Sequence, residues 1–173
     1  MRENKHKHKH NHQKIKKGDV FRKYVFDEMS KKRKSHNKEI ESLKHYVDSL
    51  NDNDAEKLCR KCSHSRRNGV YSYISKGPEK WKVKFIDISH ICVRGINSKV
   101  NHYLSRNGWQ LENICCDKSI KKHREFRMYD DIHHRSISLI ASKAGNNYYL
   151  IDGNHRAIKL GCSGHKKFEL IYY

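Results

Sequence analysis

The segment Tyr148-Tyr-Leu-Ile-Asp-Gly-Asn-His-Arg-Ala-Ile-Lys-Leu-Gly161 constrains the fold more than any other stretch of the chain. An apolar run stops abruptly at Asp152-Gly153, and a short amphipathic run follows, closed by Gly161. A short apolar run bounded by a turn pair predicts a buried strand, and a glycine after a periodic run predicts a helix end. Strand, tight turn and helix must then belong to one unit, with the helix folded back on a sheet. Gly153 has no Cβ and so permits the tight turn. Asn154 is of a residue type that caps helices.

The rest of the chain supplies partners for this unit. Trp81, Val83 and Phe85, followed by Ile86, Ile88 and Ile91, predict a strand and then a bend. Residues 97–106 predict a helix ended by Asn107-Gly108. Residues 136–141, 148–151 and 168–173 predict strands, 145–147 a turn, and 157–160 a short helix. Residues 71–74 (Tyr-Ser-Tyr-Ile) also alternate like a strand. Upstream, Val20, Phe21, Tyr24, Val25 and Met29 share one helical face, as do Ile40, Leu43, Tyr46, Val47 and Leu50. Residues 31–38 form a charge run between those helices, and residues 51–54 offer a cap for a third helix through Lys61. The expected fold class is α+β, a mixed sheet with short helices preceded by a helical N-terminal extension. The expected division is a disordered basic tail over 1–17, a helical extension over 18–70 and the sheet domain over 71–173.

Composition bounds the partners. The 173 residues hold 38 Lys and Arg against 19 Asp and Glu, a net charge of +19, with only 35% hydrophobic residues. So low an apolar content predicts one modest core and not two. The charge favours a polyanion: nucleic acid, DNA before RNA, or a nucleotide. Residues 1–38 alone hold 14 of the basic residues against four acids, more than half of the net excess. Lys14, Lys16, Lys17, Lys32 and Arg33 are therefore the candidate nucleic-acid contacts. No apolar run is long enough to span a bilayer and no leader precedes the tail, so no membrane partner and a cytoplasmic location are expected.

The turn itself carries the chemistry. The first amides of the following helix face back toward the turn and form an anion site. Arg156 offers a two-pronged fork for phosphate, and His155 a donor or proton carrier. The run Asp152-Gly-Asn-His-Arg-Ala157, after a strand and opening a helix, resembles the signature turn of the ParB/sulfiredoxin-like superfamily. Its members carry Gly-Glu-Arg-Arg, Asp-Gly-His-His-Arg or Gly-Cys-His-Arg there. The order of elements from Lys82 onward is similar too, including a helix over 98–108 that ends in Asn-Gly. The resemblance implies nucleotide binding, with ATP or CTP and Mg²⁺ as the cofactor and phosphoryl transfer or hydrolysis on or near nucleic acid as the activity. A metal-dependent nuclease on the same fold and a non-catalytic nucleic-acid binder are the alternatives. Asn154 stands where sulfiredoxins need a cysteine, so repair of an oxidised cysteine does not carry over.

In-line transfer needs a divalent ion, a charge clamp and commonly a carboxylate base. Asp152, His155 and Glu112 are the candidate catalytic groups. Gly153, Asn154, His155, Arg156, His134 and Arg135 are the candidate phosphate or nucleotide contacts. The pair Cys59 and Cys62, spaced C-x-x-C, is a candidate half-site for Zn²⁺. A second half with matching spacing is absent from the sequence.

Overall fold

Alternating apolar side chains build a six-stranded sheet at the centre of the molecule. The computed structural model describes residues 13–30, 37–63, 68–94, 98–122 and 139–173. The strands are β1 (Gln13–Lys16), β2 (Lys80–Asp87), β3 (Ile91–Cys92), β4 (Leu139–Ala144), β5 (Asn147–Asp152) and β6 (Lys167–Tyr172), in spatial order β1-β2-β6-β4-β5-β3. The β1–β2, β2–β6 and β4–β5 pairs are antiparallel, and β4–β6 and β3–β5 are parallel. The sheet is thus mixed, and the fold is α+β.

Eight α-helices accompany it: α1 (Lys17–Ser30), α2 (Asn37–Ser49), α3 (Asp52–Cys62), α4 (Asn68–Lys76), α5 (Ser98–Arg106), α6 (Leu111–Cys116), α7 (Lys118–Lys122) and α8 (Asn154–Cys162), counted among the described residues. Neighbouring residues in a strand face opposite sides of the sheet. In β6, Leu170 and Tyr172 point one way and Ile171 the other, and all three are buried. In β4, Leu139 and Ala141 oppose Ile140 in the same manner. The sheet is therefore covered on both faces, by α1–α4 on one side and α5–α8 on the other. Two apolar clusters form instead of the single core expected from composition. They are economical because one sheet supplies a wall of each.

Three local expectations change. Residues 13–16 form an edge strand, not part of a disordered tail. The pairing is through the backbone, and one apolar side chain, Ile15, opposite Trp81, suffices to set the face. Residues 71–74 are helical, within α4. Val70 and Ile74, one helical turn apart, are the residues it buries, and Tyr71 stacks on Phe21 of α1. The aromatic content that favours a strand here serves a helix. Helix α8 begins at Asn154, earlier than residue 157, and follows the turn with no intervening loop. Strand β1 pairs within the sheet and α1–α4 share a cluster with it, so the N-terminal helices are integrated with the sheet. Asn51 caps α3 as expected, its side chain accepting from the Asp54 amide at 2.9 Å.

Candidate functional site

The site region lies where β5 ends and α8 begins. Gly153 sits in the left-handed region with φ 87°, and a Cβ there would also strike the Leu139 side chain of the neighbouring strand. Only glycine meets both conditions without strain. The chain can then reverse in one residue, and Ala157 N–H donates to Gly153 O at 2.9 Å to close the first helical turn. Gly153, at the N-cap position, brings no side chain to cap α8. The amides of its first turn point toward the end of the helix, where its dipole is positive.

Asn154 does not cap its own helix. Its Oδ1 instead accepts from the Arg94 amide at 2.8 Å and ties the turn to the chain just after β3. One residue earlier, Val93 N–H donates to Trp109 O at 2.8 Å, immediately before α6. Glu112, half-buried in the first turn of α6, is thereby tethered to the same end of the sheet. Helix α6 packs on α8 so closely that a Cβ at Gly161 would lie 2.5 Å from Cys115 Sγ.

Arg156 is the largest departure from expectation. Its side chain is only 10% exposed, with one nitrogen 2.6 Å from Asp27 Oδ2 and another 3.1 Å from Asp152 Oδ2. Asp27 belongs to α1, on the opposite side of the sheet from α8. The ion pair thus passes the end of the sheet and joins the two helical layers. Burial works against the guanidinium charge, but the two carboxylates outweigh it and hold the pKa above its ordinary value. The fork expected to grip phosphate is occupied by protein carboxylates. Tyr24, also on α1, is fully buried, and burial pushes its phenol well above the ordinary range.

Asp27 was not among the residues singled out from the sequence. A signal for it existed: Val20, Tyr24 and Asp27 are spaced as one helical face, so an acid falls on the apolar stripe of α1. A charge in such a place is paired.

The remaining candidates disperse. Asp152, Gly153, Asn154 and His155 lie together at the turn, all half-buried. His134, Arg135, Lys32 and Arg33 lie outside the described residues. Lys17 is engaged with Glu79 at 2.9 Å, whereas Lys14 and Lys16 are exposed on β1. Cys59 is fully buried in the α1–α4 cluster, and burial pushes its thiol up to about 12. Among the described residues no three His, Cys, Asp or Glu side chains gather as a metal cage. No described helix is long and apolar enough to cross a membrane.

Comparisons with protein families, with curated proteins and with solved structures return no match to this chain.

Proposed function

We propose that the chain is a nucleotide-binding enzyme of the ParB/sulfiredoxin-like kind. It takes ATP or CTP with Mg²⁺ at the β5–α8 turn and carries out phosphoryl transfer or hydrolysis on or near nucleic acid. The observation that carries this proposal is the junction itself: a strand ending in Asp152, a left-handed Gly153, and α8 opening at once behind it. An anion bound at the turn would face the N-terminal end of this nine-residue helix, where the dipole is positive.

The roles differ from those the sequence suggests. Arg156 becomes a positioning residue that fixes Asp152 against α8. Asp152, held through Oδ2 by Arg156, would offer its other oxygen to a cation or a proton. Asp27, Asp152 and Arg156 together carry one net negative charge, which suits Mg²⁺ better than bare phosphate. A single carboxylate fits Mg²⁺ when phosphates and water complete its shell. The metal would neutralise charge on the transferring group, the chemistry that such ions supply. His155 would donate to an anionic group or carry a proton. Asn154 holds the turn in position through Arg94.

A thermal-shift series with the full chain tests this proposal. ATP or CTP with Mg²⁺, at moderate salt, is expected to raise the melting temperature in a saturable way. Asp152→Asn should abolish the Mg²⁺-dependent part, and His155→Ala should weaken the rest. No shift with any nucleoside triphosphate overturns the proposal. Metal-dependent cutting of DNA without added nucleotide would replace it with the nuclease alternative.

A further inference from the structure

Register places five lysines on one uncovered patch. In the β1–β2 ladder Lys14 lies directly opposite Lys82, and Lys16 directly opposite Lys80. Lys84 follows on the same side of β2. Lys14, Lys16, Lys80 and Lys82 are exposed and Lys84 is half-buried. This is the side of the sheet that α5–α8 cover farther along. Their cluster reaches β2 only at Ile86 and takes in no residue of β1. Among the described residues none of the five lysines has an ion pair. The same side of β1 and β2 has no acidic residue.

Two facts argue that the patch has a purpose. Like charges directly opposite in a ladder are destabilising, and here there are two such pairs. Lysines on an edge strand do guard against pairing with other chains. That explains Lys14 and Lys16 on β1, but not Lys80, Lys82 and Lys84 on the second strand.

We propose that this face of β1–β2 docks the sugar–phosphate backbone of a nucleic acid without regard to sequence. Lysine is a point charge on a flexible stem and neutralises phosphate without reading bases. A lipid surface fits less well. Interfacial binding needs apolar residues beside the basic ones, and Phe85, the exposed aromatic of β2, faces the α1–α4 side, as does Tyr173 against Trp81. The inference does not rest on the nucleotide site, which lies at the end of β5.

Fluorescence anisotropy of labelled 20-mers (duplex DNA, single-stranded DNA and RNA) across a salt series tests it with the full chain. Replacing Lys80, Lys82 and Lys84 together with alanine should weaken binding to duplex and flatten the slope of log K against log salt by about 2.7, or about 0.9 per lost contact. An equal loss of charge at Lys44, Lys57 and Lys61 should change the slope by less than about 1. The triple arginine version of the β2 variant should bind as the wild type does. The shift produced by nucleotide and Mg²⁺ should be the same in all of them. An unchanged slope in the alanine variant, or an equal fall in the control, overturns the proposal. So does tight binding to phosphatidylserine vesicles with none to any oligonucleotide. If the alanine variant does not fold, acetylation of wild-type lysines with and without duplex decides: protection of Lys80, Lys82 and Lys84 supports the proposal, and its absence overturns it.

Discussion

Arg156 shows how a single residue can change meaning between sequence and structure. Beside a glycine turn, an arginine looks like a phosphate ligand. Its reach to Asp27 across the sheet end turns it into a strut. Removing one partner of a buried pair leaves an uncompensated charge, so Arg156→Ala or Asp27→Ala is expected to cost about 3–5 kcal/mol of stability. Asp27→Leu combined with Arg156→Met should recover most of that loss, and chemical denaturation of the four chains measures it. Asp117 makes a second residue-scale prediction. It accepts from Ser119, Asn107 and Arg106, which hold its carboxyl well below the ordinary carboxylate range. A depressed folded pKa gives stability that is present above the unfolded value, about 3.9, and lost as pH falls toward the folded one. Asp117→Asn should therefore melt lower than wild type at pH 7, and the gap should close in acid.

Elements were legible where one periodicity dominated. Helix α1, helix α2, strand β2 and strand β5 lie close to where the apolar pattern put them, whereas β4, expected over 136–141, runs over Leu139–Ala144. The helix α4 was hidden because tyrosines that pack on Phe21 and Trp81 alternate in sequence like strand residues. Strand β1 was hidden because a backbone ladder needs little apolar content, and its lysines resemble those of the tail. The closeness of α6 and α8 was also invisible, since it depends on Gly161 meeting Cys115 and Ile88. Gly161→Ala should destabilise by about 1–3 kcal/mol through overpacking, and Cys115→Ala should relieve part of that cost. Thermal melts of the single and double variants are the check. A penalty unaffected by Cys115 would place the strain elsewhere.

At the scale of the whole molecule, one sheet carries three separate features. Its two faces carry the two apolar clusters, its β5 end carries the Asp152–His155 turn, and its β1–β2 edge carries the lysines. The turn was readable because the residues that make it are consecutive. The lysine patch was not, since Lys14 and Lys82 meet only through strand register. Five of the lysines thus lie on the fold apart from the β5–α8 turn. The most direct measurement of the central proposal is amide NMR of the full chain titrated with ATP or CTP and Mg²⁺. The amides of Gly153, Asn154 and His155 are expected to shift first and to saturate together. Shifts confined to Lys80–Lys84, with the turn unmoved, would contradict nucleotide binding at β5–α8.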